Sequence, residues 1–388
     1  MRTVALIGLL IAATACNHPA PPDRVAPAEW ADVVGWYELP GGTFALLTWA
    51  ADGGLRFISF APDPFSDRVA ITGPDRLHWF RGDATNPLVL RVERDEDAIV
   101  AGLAWVEDTE NKQRAPRRRD YGYDVRELTF DNGEITLSAS LFLPDTLRQH
   151  PAAVMIHGSG ESDRDNLWYM RIAHELVTHG IAVLLPDKRG SGKSGGDWTT
   201  AAFSDFAGDA LAGVAAVQGE KGIDGSRVGL LGISQGGWIA PLAASMTQDL
   251  TFVINVSGAT VTPNEQLAHE LGGSAVRVFF AKARKRIWWN LNGDFDPVPY
   301  WRRLTVPGLI VFGDQDEHEN VPVTRSVARL DSILVQSEGP PLTVRVLEGT
   351  GHGMFEAGTR RIRADFLDLL VTWIREKTGI SPVRYPEV

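Results

Sequence analysis

Three side chains in this sequence stand where their types and surroundings can do chemistry together: a serine, a histidine and an aspartate, each just past an apolar run. Ser234 is the centre of Gly232-Ile233-Ser234-Gln235-Gly236, between the apolar run Val228 to Leu231 and the helix-like run Trp238 to Met246. The spacing predicts a strand, a sharp turn and a helix, with the serine at the tip. Glycines two places either side remove the Cβ atoms that would collide with strand or helix while the serine is held at an unfavourable backbone angle. As a bare pattern G-x-S-x-G is only moderately specific, because a serine in such a turn need have no chemistry. His352 lies in the small-residue loop Glu348-Gly349-Thr350-Gly351-His352-Gly353, after the run Leu342 to Leu347. The run Gly308 to Phe312 ends in Gly313-Asp314-Gln315-Asp316, which puts carboxylates at the C-terminal edge of a strand. A serine hydroxyl is a poor nucleophile until a neutral imidazole takes its proton and a carboxylate holds that imidazole in the right tautomer.

The elements needed to bring these residues together are legible upstream and between them. Pro151 to Ile156 reads as a buried strand ending in His157-Gly158-Ser159-Gly160, a glycine-rich loop able to aim backbone N–H groups at a developing oxyanion. From 121 onward strands and helices alternate: a hairpin of 125–130 and 135–143 around Asp131-Asn132-Gly133, strand 151–157, helix 167–179, strand 181–186, helix 200–218, strand 227–232, helix 236–246 and strand 251–257. That alternation predicts a mostly parallel sheet covered by helices on both faces. Between Gly258 and Pro297 it stops, in a mixed segment carrying Phe279, Phe280, Trp288 and Trp289. One or two helices over the site are expected there, with the aromatics either lining a pocket or packing on the sheet.

Serine, acid and histidine follow one another in the order of the α/β-hydrolase fold, each just past a strand. From about Tyr121 to the C-terminus the chain resembles the α/β-hydrolase superfamily. More closely it is similar to bacterial serine esterases with a G-S-G-x-x-x-R-D loop, here Gly158-Ser159-Gly160-Glu161-Ser162-Asp163-Arg164-Asp165. The same group carries D-x-R-G-x-G-x-S, matched by Asp187 to Ser194, and an aspartate closely followed by N-V-P, matched by Asp316 and Asn320-Val321-Pro322. The sequence departs from the group in having His318 and Glu319 inserted before Asn320. Asp316, three residues after Gly313, fits the family spacing for the acid; Asp314 is the alternative, and Glu317 and Glu319 read as solvated loop residues. The resemblance implies Ser234 as nucleophile, His352 as base and then acid, and Asp316 as the orienting carboxylate. Backbone N–H groups of Ser159 and Gln235 then form the oxyanion hole, with Gly160 a third donor.

The whole chain sets outer bounds. A length of 388 residues suggests two domains or one large one, and 44% hydrophobic content suffices for a buried core. A net charge of −11 argues against nucleic acid or an anionic membrane face as the main partner. Gly190-Ser191-Gly192-Lys193-Ser194 mimics the end of a phosphate-binding loop, but Asp187 stands where that motif needs its first glycine. No metal-ligand spacing is evident, so neither metal nor other cofactor is expected.

The N-terminus carries its own signal. Arg2 precedes the short apolar run Val4 to Ala15, too short to span a bilayer, which fits a signal-peptide core over residues 1–15. It ends in Ala13-Thr14-Ala15-Cys16, which resembles the lipobox of bacterial lipoproteins, with Ala13 in place of the usual leucine. Cys16 would then be acylated, residues 16–29 would form a proline-rich tether, and the membrane would be touched only through that anchor. Asn17 implies, by the same resemblance, a periplasm-facing position at the outer membrane. Residues 30–113 show short apolar runs broken by turns and predict a small antiparallel β meander or barrel as an accessory domain. Arg114 to Arg119 read as a solvated linker over 114–120, and 121–388 as the catalytic domain.

The expected function is hydrolysis of a small carboxylic ester by a serine hydrolase. The alternatives are a serine peptidase or thioesterase on the same fold, or a catalytically silent envelope binding protein whose β module does the work. Activity should fall at acid pH, because a protonated His352 cannot accept the serine proton.

Overall fold

The computed structural model describes residues 30, 32–50, 54–60, 65–81, 85–106, 112–119, 122–335, 341–359 and 361–380. The expected signal peptide, Cys16 and the tether lie outside these residues. Among them the chain forms two eight-stranded sheets in series.

In the first sheet β1 (Gly35–Glu38), β2 (Phe44–Trp49), β3 (Leu55–Ser59), β4 (Phe65–Gly73), β5 (Arg76–Phe80), β6 (Leu88–Arg94), β7 (Val100–Val106) and β8 (Lys112–Pro116) pair antiparallel in sequence order. Beyond β8, Arg117 bridges Tyr37 and the Arg118 N–H donates to the Trp36 carbonyl at 2.8 Å, so the last strand returns to the first and the meander closes as a barrel. Closure removes the exposed edges that an open sheet of this kind would present. Alternate residues point inward, and the interior is filled by aromatics such as Tyr37, Phe57, Trp79 and Trp105. Phe57 and Trp105 meet the Trp79 ring edge-on at 5.0 and 5.8 Å. These aromatics fill a core.

The basic run expected as a solvated linker is instead this closing strand and its continuation. Arg114 pairs with Glu93, Arg118 with Glu38 at 2.6 Å, and Arg117 donates to the Asp32 carbonyl at 2.8 Å. Ala115 is the one buried residue of β8, so the strand offers almost no hydrophobic alternation to read.

The second sheet has the order β16-β15-β14-β13-β11-β12-β10-β9. β9 (Asp124–Asn132) and β10 (Ile135–Leu143) form the predicted hairpin, and β10 also pairs antiparallel with β12 (Ala182–Pro186). The remaining pairings, through β11 (His150–Ile156), β13 (Ile223–Ile233), β14 (Val253–Val256), β15 (Gly308–Gly313) and β16 (Leu342–Leu347), are parallel. β11 is buried at every position, as a central strand covered on both faces must be. Helices α1 (Leu167–Thr178), α2 (Phe203–Gln218), α3 (Gly236–Ala244), α8 (Val323–Leu334) and α9 (Ala364–Thr378) supply those covers.

The mixed segment holds more helix than expected, α4 (Pro263–Glu270), α5 (Ala275–Arg284) and α6 (Arg286–Asn292), and the short α7 (Val298–Arg302) follows it. α6 is seated on the start of α2, where the buried Asn292 side chain accepts from the Phe203 N–H at 2.7 Å and donates to the Ala201 carbonyl at 3.0 Å.

Barrel and second sheet share a core. Trp36, Leu46, Ile58 and Phe60 of the barrel's outer face pack with Met170, Ile172 and Tyr123. Trp36 Nε1 donates to the Tyr123 carbonyl at 3.1 Å, and the Phe60 ring stacks on His174 of α1 at 4.2 Å.

Candidate active site

The site is assembled along the C-terminal ends of the parallel strands, where an open α/β sheet leaves its crevice. Ser234 follows β13 with φ of +54°, a strained value for a side chain with a Cβ. Its N–H donates to the Val256 carbonyl at 2.8 Å, and its own carbonyl accepts from Gly237 at 2.8 Å, which pins the turn. A Cβ on Gly232 would lie 2.2 Å from the Gly236 carbonyl oxygen, and one on Gly236 would lie 2.3 Å from that of Ile156. Both glycines are therefore required by close backbone approach, as the sequence suggested.

His352 reaches the serine from the loop after β16. Its Nε2 stands 3.0 Å from Ser234 Oγ, and its Nδ1 stands 2.7 Å from Asp316 Oδ2. Asp316 is fully buried in a 3-10 turn directly after β15. Asp314 points elsewhere: its Oδ1 accepts from the Gly349 N–H at 2.7 Å, tying the acid loop to the histidine loop. The choice between the two carboxylates is thus geometric.

Glu319, expected to be solvated, is engaged with the histidine. Glu319 Oε2 accepts the backbone N–H of His352 at 3.1 Å, and the Ser257 hydroxyl donates to the His352 carbonyl at 2.8 Å, so the histidine's peptide is held from both sides. Glu317, also expected to be solvated, accepts from the Thr324 N–H at 2.6 Å through its side chain and contacts His269 at 2.7 Å through its carbonyl. Among the described residues of this half of the molecule, three carry a positive φ without being glycine: Ser234, Ser257 and Met354, all near the site.

Opposite the histidine lie Ser159 and Gln235, and Gly158 comes so close that a Cβ on it would be 3.3 Å from that of Ser234. Among the described residues neither the Ser159 nor the Gln235 N–H has a protein acceptor, which leaves both free for a ligand oxygen. The loop is fixed from below by groups the sequence did not single out. Tyr169 Oη accepts the Gly158 N–H at 2.8 Å. Lys188 is buried, and its Nζ donates to the carbonyls of Gly158 at 2.7 Å and Gly160 at 3.0 Å and to Gln235 Oε1 at 2.7 Å. One ammonium thus clamps the peptides flanking Ser159 to the side chain of Gln235. Burial, aided by the nearby Lys285 charge, pulls its pKa down to about 7.

The two resembling motifs interlock physically. Arg164 of the G-S-G-x-x-x-R-D loop is buried and forms a two-pronged pair with Asp187, Nε to Oδ1 at 3.0 Å and Nη2 to Oδ2 at 2.7 Å. Ser191 Oγ accepts the Ser162 N–H at 3.1 Å and the Lys193 N–H donates to Asp187 at 2.9 Å, so the second loop buttresses the first. His157 closes this layer, with Nδ1 2.9 Å from Ser162 Oγ; burial lowers its pKa to about 4 and keeps it neutral.

A cavity of about 120 Å³ opens beside Ser159 and Gln235. Trp198, Trp238, Trp288 and Trp289 form much of its wall, with Glu270 and Lys285 as its charged members. Trp288 therefore both packs on Phe203 and lines the pocket, whereas Phe279 and Phe280 do neither and stand 67% and 62% exposed.

Comparison with known proteins agrees with this architecture. The family described as Serine aminopeptidase, S33 (Hydrolase_4) matches residues 148–298. Esterase EstD of Thermotoga maritima is 26% identical over 269 residues, which are 58% of this chain and 60% of that protein. The chain thus spans about 60% of the length of that curated relative. An esterase of Pyrococcus furiosus superposes with a TM-score of 0.51 at 20% identity, over 66% of this chain and 91% of that one. An acylaminoacyl peptidase of Pyrococcus horikoshii gives a TM-score of 0.56 at 15% identity, over 92% of this chain and 58% of that one. The chain has an α/β-hydrolase fold preceded by an antiparallel β domain.

Proposed function

We propose that this protein is a serine hydrolase that cleaves carboxylic esters through an acyl-enzyme. The observation that carries the reading is the relay Ser234 Oγ to His352 Nε2 at 3.0 Å and His352 Nδ1 to Asp316 Oδ2 at 2.7 Å, on a serine held at positive φ. His352 takes the hydroxyl proton as Oγ bonds to the ester carbonyl carbon, and the carbonyl oxygen becomes an oxyanion facing the N–H groups of Ser159 and Gln235. The imidazolium, stabilised by Asp316, then gives its proton to the departing alkoxide as the C–O bond breaks. Water, deprotonated by the same imidazole, releases the acid and restores the serine. The EstD likeness favours an ester, and the tryptophan walls favour an acyl or aryl group of modest size.

A second reading, an aminopeptidase-like hydrolase, has one specific support. Glu270 lines the pocket beside Ser159 and Gln235, where a carboxylate would meet a substrate ammonium, and the matched family is described as a serine aminopeptidase. A fluorophosphonate probe should label the protein and not its Ser234→Ala variant; absence of labelling in the parent would sink both readings. A panel of p-nitrophenyl esters against aminoacyl amides then separates them, and turnover of the amides alone would reject the esterase.

A further inference from the structure

The α5–α6 cap is out of character with the rest of the chain. No residue of α5 is buried, and Val276, Phe279 and Phe280, at helical spacing on one face, are 66%, 67% and 62% exposed. α6 adds Ile287 and Leu291, one turn apart and 55% and 51% exposed, while its Trp288 and Asn292 point inward. A water-facing helix ordinarily turns its apolar stripe to the core and its charges outward; here the large apolar side chains are outward. The charge is equally out of character: from Leu271 to Gly293 there are five cations, Arg277, Lys282, Arg284, Lys285 and Arg286, and no acid, in a chain of net charge −11. Among the described residues none of the five pairs with a carboxylate.

We infer that this cap docks on an anionic phospholipid surface, with Val276, Phe279 and Phe280 entering the headgroup boundary and the basic side chains meeting lipid phosphates. Exposed aromatic residues flanked by lysine and arginine are the combination that holds a short helix in the plane of a bilayer, by apolar burial plus attraction to anionic headgroups. Charge decides against a second copy of this chain, because a two-fold contact through the same face would set the exposed arginines Arg277, Arg284 and Arg286 against their copies. The cap also roofs the pocket: α6 contributes Trp288 and Trp289 and the α5–α6 junction Lys285, beside Gln266, Leu267 and Glu270 of the neighbouring α4. Docked in this way, the pocket's roof faces the lipid. The inference rests on the cap alone and stands whatever bond the site cleaves.

The test uses full-length chain carrying Cys16→Ser, so that acylation contributes nothing, and flotation with vesicles of phosphatidylcholine alone or of equal parts phosphatidylcholine and phosphatidylglycerol. Binding is expected only with phosphatidylglycerol and should weaken at high salt. Phe279→Ser with Phe280→Ser, and separately Arg284→Glu with Arg286→Glu, should each lower binding by about tenfold or more. Both variants should retain the parent's melting temperature and fluorophosphonate labelling, since neither pair touches the site. Equal binding to both vesicles, or binding that survives both double substitutions, would overturn the inference. So would concentration-dependent dimerisation in light scattering that Phe279→Ser with Phe280→Ser abolishes.

Discussion

The two sheets bury similar hydrophobic material and differ in what else they bury. Inside the barrel the buried charge is Asp67, whose Oδ2 accepts from Trp79 Nε1 at 2.9 Å, and the strained non-glycine residues, Asp75 and Ala98, sit outside strands in exposed turns. In the second half Arg164, Asp187, Lys188 and Asp316 are buried, and Ser234, Ser257 and Met354 are strained within reach of one another's loops. Buried charge and positive φ each cost free energy and persist only where surrounding contacts over-determine them. The contrast separates a region built to be filled from one built to hold particular atoms in place. The barrel is therefore expected to respond to mutation through stability, and the second half through turnover at nearly constant stability.

Asp316→Asn should give the largest kinetic effect, a fall in kcat of about 10⁴, because an amide favours the wrong tautomer of His352. Asp314→Asn, which disturbs contacts with Gly349 and neighbouring loop residues but none with His352, should cost far less, and steady-state ester kinetics on both variants would expose an error in the assignment if their order were reversed. Lys188→Met should lower kcat by roughly 10² to 10³ with little change in KM, the size of losing an oxyanion donor. pH sharpens this case. With a pKa near about 7, the Lys188 ammonium loses a proton as pH rises through neutrality and then has two N–H donors for three acceptors. The parent's kcat should therefore decline on the alkaline side, and Lys188→Met should show no such limb; an alkaline limb kept by the variant would remove Lys188 from the account. In the barrel, Trp79→Ala should cost about 3 to 5 kcal/mol of stability in denaturant titration while the folded fraction keeps its kcat. A kcat that fell with Trp79 would break the division between the two regions.

Legibility in the sequence follows the same division. The parallel half could be read because its central strands are buried on both faces and appear as unbroken apolar runs; β11 runs His150–Ile156 where 151–157 is expected. The meeting of Ser234, His352 and Asp316 could be read because each sits just past an apolar run. Lys188 could not, since its role depends on meeting two loops 28 to 47 residues away in sequence. Glu319 and Ser257 were hidden for the same reason: each acts on the backbone of His352, and only the folded loops show which peptide they reach. β8 was hidden by its polar residues: Lys112 and Arg114 pair outward with Glu93, and Ala115 is its one buried side chain.

α1 is held at both ends by different partners. Toward its C-terminal half His174 lies under Phe60 of the barrel, and at its start Trp168 and Tyr169 stand against His352, at 6.5 Å between rings, and the Gly158 N–H. Such a helix makes the barrel a foundation for the reaction chamber instead of a bead strung before it. Heating should accordingly melt both units as one, and a descendant of this lineage that shed its first hundred residues would have to rebuild the wall it left bare.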